Sequence, residues 1–119
     1  APKGALLGAE MKSLFIVGKK IPDGYRFDSV ELFESFESAS ASAVTYIEDV
    51  GHEYKCDDNF CDFIFWDNNF CCIVKIQGEG DYILISDKLE AYAYYTRSDA
   101  IEFAEKGDVL FYGGQYAKV

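Results

Sequence analysis

Residues 61–86 read CDFIFWDNNFCCIVKIQGEGDYILIS, and this stretch decides the fold class. It contains three runs rich in β-branched and aromatic residues, at positions 61–66, 70–77 and 81–86. Asn68-Asn69 separates the first two runs and Gly78-Glu79-Gly80 separates the last two, and both separators are typical of tight turns. The stretch therefore predicts a three-stranded antiparallel meander.

The two turns predict how the strands of this meander pair. A two-residue loop at Asn68-Asn69 sets Phe65 opposite Cys72, and the second turn sets Cys72 opposite Ile85. One face of the meander is then apolar throughout. The other, which we call the mixed face, carries four large apolar side chains among polar ones: Ile64, Trp66, Ile73 and Leu84. A one-residue slip would exchange the two faces, so the pattern fixes the register.

The remaining sequence predicts two helices and further strands. Ala39, Ala43, Ile47 and Val50 recur at helical spacing and predict a helix over residues 38–50 that ends at a glycine. A second helix is predicted over 96–106, where Thr96 and Asp99 match a capping box. The other predicted strands are 12–18, 25–33, 89–95 and 108–112.

These elements predict an α+β fold, with a mainly antiparallel sheet of five to six strands and two helices packed on one face. Two helices cover one face only, so we expect the mixed face to be solvated or occupied by a partner. Residues 1–10 are predicted to be a flexible N-terminal tail or an engineered remnant, which makes Met11 a candidate native start. Residues 11–119 are predicted to form one domain.

The negative charge is concentrated in one part of the chain. The formal net charge is −10, and residues 28–67 contain eleven Asp and Glu but only one basic residue, Lys55. The rest of the chain is therefore balanced. We call residues 28–67 the acidic segment. Its two interpretations are a surface complementary to a basic partner, or a solvated face that confers solubility.

The candidate site consists of carboxylates from the acidic segment and two aromatic residues expected on the mixed face. Aromatic side chains are common anchors at protein interfaces. The candidate partner-binding residues are Glu31, Glu34, Glu37, Glu48, Asp49, Glu53, Asp57, Asp58, Trp66 and Tyr82.

Composition excludes some classes of partner and favours others. An excess of acid disfavours direct binding to nucleic acid or to an anionic membrane, both of which need Lys and Arg. No apolar run reaches the length of a membrane span. We therefore expect a cytoplasmic, non-enzymatic protein that docks on the basic surface of a protein partner. Its composition resembles that of small acidic inhibitors such as immunity proteins and phage anti-defence proteins, some of which imitate the charge of DNA.

No cofactor, metal site or catalytic residue is predicted. His52 and the four cysteines offer enough ligand atoms for zinc, but no Cys-x2-Cys pair is present. Asp57 could begin a calcium loop, but the sixth and twelfth positions are Asp62 and Asn68 rather than Gly and Glu. A Cys–His nucleophile would have to use His52, whose position after a helix favours capping.

Two alternatives remain open. One is an oligomeric structural or regulatory domain, a homodimer for instance, that self-associates through the mixed face. The other is a small metal-dependent hydrolase that uses His52 with a nearby Cys or Asp.

Overall fold

The structure is a computed structural model that describes residues 12–53 and 61–119, with 61 and 62 described through their backbone. Strands and helices follow one another along the chain in the order β1 (Ser13–Ile21), β2 (Gly24–Phe33), α1 (Phe36–Asp49), β3 (Cys61–Trp66), β4 (Asn69–Gly78), β5 (Tyr82–Ile85), β6 (Ala91–Tyr94), α2 (Arg97–Phe103), β7 (Val109–Tyr112) and β8 (Gln115–Lys118).

All of the strands belong to one sheet, which is nearly barrel-shaped. Its order is β2-β1-β4-β6-β5-β7-β8, and β3 pairs with β4 beside this path. The two end strands approach each other. The ring centroids of Phe27 on β2 and Tyr116 on β8 lie 6.0 Å apart. An α+β fold is confirmed, but the expected sheet of five to six mainly antiparallel strands is too small. The described residues form an eight-stranded mixed sheet in which β4 and β6 run parallel.

The predicted meander is wrong at its second turn. Strand β6 lies between β4 and β5, so Ile76 pairs with Ala91 and β5 pairs with β6 and β7. The reason is the local backbone. Gly78 and Gly80 have φ values of 84° and 130°, and a side chain on either would strike the carbonyl oxygen of Ala93 or Tyr94 on β6. These glycines give β6 the space to lie against β4, rather than closing a hairpin.

The first hairpin of the meander is confirmed, with its register shifted by two residues. The turn is Asp67-Asn68, with φ values of 42° and 68°, and Phe63 rather than Phe65 lies opposite Cys72. Positive φ at both central residues is the requirement of a type I′ turn, which Asp and Asn tolerate. A shift of two residues keeps each side chain on its predicted face.

The inner face of the sheet holds the main core. Its fully buried side chains include Leu14 and Ile16 from β1, Cys72 from β4, and Ile83 and Ile85 from β5. The sheet therefore covers its own apolar face by rolling up. This is why both helices lie on the outer face, α1 over β1 and β4, and α2 over β5 and β6.

Helix α1 covers the part of the mixed face formed by Ile64, Trp66 and Ile73, contrary to the expectation that this face is open. Ala39, Ala43 and Ile47 are fully buried against Phe15, Val17, Cys71 and Ile73, as the helical spacing predicts. Val50, predicted on the same face, is 40% exposed because the helix ends at Asp49. The chain reverses there in a Schellman motif, since the His52 N–H donates to the Ile47 carbonyl at 2.9 Å.

The C-terminal part contains a shorter helix and an additional strand. The Asp99 N–H donates to the Thr96 hydroxyl at 3.1 Å, which confirms the predicted cap of α2. The helix ends at Phe103 instead of Lys106, because Ala104 is extended with ψ of 142°. Strand β8 was not predicted from the sequence. It follows a two-residue turn in which Gly113 and Gly114 both have positive φ.

Substitution of Gly80 tests the close approach of β6. Gly80→Ala should lower the free energy of unfolding by about 3 kcal/mol, because it adds a methyl group against backbone atoms at a left-handed φ. Gly51→Ala is the matched control, since Gly51 also has positive φ (80°) but no atom within 4 Å of the added carbon. Gly51→Ala should lower the free energy of unfolding by about 1 kcal/mol. Urea unfolding measures both, and equal losses would contradict a tight β4–β6 contact.

Candidate functional site

An open groove of about 580 Å³ lies between helix α1 and strand β2. We call it the acidic groove, because Asp28 and Glu31 line it from the strand and Asp49 from the helix. Phe15 and Val17 of β1 form its floor. Hydroxyl groups complete the lining: Ser29, Ser42, Thr45 and Tyr46. The groove is thus an apolar floor between two polar walls.

Small residues bring the helical wall close to the sheet. Ala39 and Ala43 are fully buried beneath α1, so the helix axis can approach the strands. On the side of the helix facing β2, Ser42, Thr45 and Asp49 follow at spacings of three and four residues, so they share one stripe. The Ser35 hydroxyl caps the first turn of α1, because it accepts a hydrogen bond from the Ser38 N–H at 3.2 Å. A packed and capped helix therefore positions Asp49.

A β-bulge positions the carboxylates of the strand wall. Val17 pairs with Ser29 and Gly18 pairs with Phe27, which leaves Asp28 as the extra residue on β2. The alternation of side chains consequently shifts by one place, and Phe27 and Val30 both point into the inner core. Glu31 is thereby directed to the outer face, where it lines the groove.

Little positive charge compensates this groove. Arg26 Nη2 lies 3.4 Å from Asp28 Oδ1, in a pair whose side chains are 67% and 49% exposed. Exposed pairs of this kind contribute little. In residues 12–53 and 61–119, neither Glu31 nor Asp49 has a salt-bridge partner. The groove therefore presents carboxylates that remain available to a cation from outside.

Tyr46 joins the groove to the aromatic cluster beneath it. Its ring lies 5.8 Å from that of Phe15 and 6.2 Å from that of Trp66. Burial raises the pKa of Tyr46 above its usual value of 10.0, and the nearby Cys71 and Asp28 raise it further. The phenol therefore stays neutral, and able to donate a hydrogen bond, well into the alkaline range.

The structure brings together only part of the predicted site. Glu31 and Asp49 share the groove. The expected row of Glu31, Glu34 and Glu37 is spread over a strand, a turn and the first turn of α1, although all three are exposed. Glu48 and Glu53 are exposed at the other end of the helix. Asp57 and Asp58 lie outside the described residues.

The two predicted aromatic anchors do not share a surface. Trp66 is half-buried beside Tyr46, and its ring lies 5.1 Å from that of His52. Tyr82 stacks on Tyr112 at 4.1 Å on the outer face of the other half of the sheet. Ile73 is only 1% exposed beneath α1. The predicted mixed face is therefore not one exposed surface.

Asp28 and the hydroxyl groups of the groove were not predicted from the sequence. The signal for Asp28 was the break in alternation between Phe27 and Val30, where two polar residues separate two apolar ones on one strand. Such a break is typical of a bulge. The serines of α1 gave no comparable signal, since small polar residues also occur on plain solvated faces.

The structure gives no support to metal or cysteine chemistry within its described ranges. No group of three or more His, Cys, Asp or Glu side chains in 12–53 and 61–119 is arranged to hold a metal ion. Cys56 and the side chain of Cys61, the predicted neighbours of His52, lie outside the described part of the chain. Cys71 and Cys72 are buried on opposite faces of β4.

Comparisons with protein-family models, with curated proteins and with solved structures found no match. Among the described residues, neither helix has the length and apolar character needed to cross a membrane.

The raised pKa of Tyr46 leads to a prediction about the stability of the protein at alkaline pH. Its raised pKa means that the folded state favours the neutral phenol, so its contribution to stability is complete below pH of about 10 and is lost as the pH rises further. Tyr46→Phe should flatten the fall of the urea midpoint above pH of about 10. Phe15→Leu disturbs the same ring contact without removing a titrating group, so it should lower the midpoint and leave the slope unchanged. An unchanged slope in Tyr46→Phe would contradict the assignment.

Proposed function

We propose that the chain is a small acidic non-enzymatic binding protein, whose acidic groove docks on a basic surface of a protein partner. The observation that carries the proposal is the lining of the groove. Asp28, Glu31 and Asp49 converge there with four hydroxyl groups, and Arg26 provides the one salt bridge to them among the described residues. Such a lining is suited to Lys or Arg side chains.

Rigid placement of the carboxylates supports this use. Glu31 is directed by the bulge in a strand, and Asp49 stands on a helix that is fixed by buried alanines. Because the backbone at these positions is already fixed, binding a partner costs the freedom of the side chains but not that of the backbone. The hydroxyl groups add acceptors between the charges, and the apolar floor of Phe15 and Val17 can contact the methylene stem of a long basic side chain.

Acidic residues around the groove extend its negative electrostatic field. Glu34, Glu37, Glu48 and Glu53 are exposed at the two ends of α1, and the chain as a whole carries a formal charge of −10. A field of one sign raises the rate at which an oppositely charged partner arrives. We therefore expect binding to be fast at low salt and to weaken as salt is added.

The proposal includes a class of partner. The basic surface would be the nucleic-acid site of another protein, and the chain would act as an inhibitor or antagonist of the immunity or phage anti-defence type, with carboxylates in place of phosphates. The excess of acid supports this choice over direct binding of nucleic acid or membrane. The proposal places the protein in the cytoplasm, where such partners act.

Charge reversal in the groove tests the proposal. The double variant Glu31→Lys, Asp49→Lys should bind the partner at least about tenfold more weakly at low salt, because it replaces two attractions by two repulsions. The matched control is Asp23→Lys, Glu102→Lys, which makes the same change in net charge at two exposed positions outside the groove. It should keep most of the affinity.

The experiment has two stages. The partner is first captured from a host lysate at low salt and identified, and the purified partner is then titrated with each variant by calorimetry. Competition with a DNA duplex should displace the chain if the surface is a nucleic-acid site. Equal affinities of the groove variant and the wild type would show that the acidic segment only confers solubility.

A second candidate, self-association, is favoured by the edge of the sheet at β3. In the described residues β3 pairs with β4 alone. Phe63 and Phe65 on this strand are 40% and 55% exposed and stack with ring centroids 5.5 Å apart. An exposed apolar edge strand is a template for pairing with a second copy. This surface differs from the mixed face, part of which α1 covers.

Serine substitutions on β3 separate the two candidates. If the chain dimerises through this edge, Phe63→Ser with Phe65→Ser should make it monomeric by light scattering, because the stacked apolar pair is lost. Phe103→Ser is the matched control, since Phe103 is also exposed (61%) but lies on α2. A wild type that is monomeric at high protein concentration would rule out this candidate and leave the acidic groove unaffected.

A further inference from the structure

A second pocket, of about 220 Å³, lies on the outer face of the sheet beside α2. Three aromatic side chains line it: Tyr92 and Tyr94 from β6, and Phe103 from the last turn of α2. Tyr94 and Phe103 stack with centroids 5.6 Å apart and planes 10° apart. We call it the aromatic pocket. It shares no lining residue with the acidic groove.

The aromatic walls are open to an incoming group. Tyr92 is 39% exposed and Phe103 is 61% exposed, whereas Ala91 and Ala93, which alternate with the tyrosines, are buried in the inner core. The alternation of β6 therefore directs both tyrosines outward. Their ring faces carry the negative part of the aromatic quadrupole, which attracts cations.

Carboxylates surround these rings. Asp87 and Glu90 line the pocket from the segment before β6, and Glu105 and Asp108 line it from the loop after α2. No Lys, Arg or His belongs to the lining among the described residues. The pocket lies outside the acidic segment, in the part of the chain where acidic and basic residues balance. Its acidity is therefore a local arrangement.

Asp108 is the informative member of this set, because it is only 7% exposed. Its Oδ2 accepts the Glu105 N–H at 2.9 Å, which closes the loop after α2. Across residues 12–53 and 61–119 it has no salt-bridge partner. Buried carboxylates in proteins are normally hydrogen-bonded or paired with a cation, and the Glu105 N–H is the one hydrogen-bond donor to the Asp108 side chain among the described residues. Asp108 and Tyr94 line the same pocket, and after burial and Tyr92 the charge of Asp108 also raises the pKa of Tyr94.

We propose that the aromatic pocket binds one arginine side chain of a protein partner. The planar guanidinium can stack on Tyr92 or Phe103 and direct its N–H groups to Asp108 and Glu105. The volume fits one side chain, since it is below the range of about 300–1,000 Å³ that is usual for small-molecule sites. The inference rests on the proposed function for the basic character of the partner, but uses a separate set of residues.

A peptide titration tests the pocket without knowledge of the partner. The full chain, labelled for two-dimensional NMR, is titrated with acetyl-Gly-Arg-Gly-amide and with the same peptide carrying citrulline, which is neutral and nearly isosteric. The arginine peptide should shift the resonances of Tyr92, Tyr94 and Phe103 in a saturable way in the millimolar range, as expected for a single side chain. The citrulline peptide should not.

Two variants make the result specific to the pocket. Asp108→Asn keeps an oxygen that can accept the Glu105 N–H but removes the charge, and it should weaken binding about tenfold. Tyr92→Leu removes an exposed ring and should also weaken binding of the peptide. It provides a second test of the pocket if Asp108→Asn does not fold. In the groove variant Glu31→Lys, Asp49→Lys, the arginine peptide should shift the resonances of Tyr92, Tyr94 and Phe103 nearly as much as in the wild type, because the changes lie outside the pocket.

The outcomes distinguish this inference from the proposed function. Saturable shifts confined to the groove, equal shifts with citrulline, or unchanged binding in Tyr92→Leu would each overturn the arginine pocket and leave the groove proposal standing. Saturation of the pocket, together with partner capture that survives reversal of the groove charges, would support the pocket and overturn the groove.

Discussion

The fold depends on strand β4, which pairs with β1, β3 and β6 and is buried on both faces. Phe70, Cys72 and Val74 point into the inner core, while Cys71 and Ile73 point to α1. A strand that is apolar on both sides needs two separate covers. The sheet supplies one by rolling over its own inner face, and α1 supplies the other. The positions of the acidic groove and of the aromatic pocket both follow from this division.

Local signals in the sequence were sufficient for the first half of the chain. The spacing of Ala39, Ala43 and Ile47 predicts the buried stripe of α1, since a helix is set by contacts three and four residues apart. The turn of the β1–β2 hairpin contains Pro22, Asp23 and Gly24, three residue types that favour tight turns. Each of these elements is specified by residues close together in the sequence, so predicting it needs no knowledge of distant residues.

Non-local pairing was the part that the sequence left ambiguous. Gly78 and Gly80 are as consistent with a hairpin turn as with a close approach of β6, and only the partner strand distinguishes the two. The site was affected in the same way. The excess of acid was visible from composition, but Glu31 reaches the groove through a bulge, and Asp49 joins it through helix packing. Glu34 and Glu37, equally conspicuous in the sequence, remain outside the groove lining.

The bulge at Asp28 also constrains how the chain can change in length. Deletion of Asp28 would remove the extra residue, leave Phe27 opposite Gly18 and Ser29 opposite Val17, and keep Val30 pointing inward and Glu31 outward. Deletion of Val30, beyond the bulge, would instead place Glu31 opposite Ile16 and turn its carboxylate into the inner core. The strand therefore tolerates the loss of a residue at its bulge but not beyond it, and that loss removes one carboxylate from the acidic groove without disturbing the inner core.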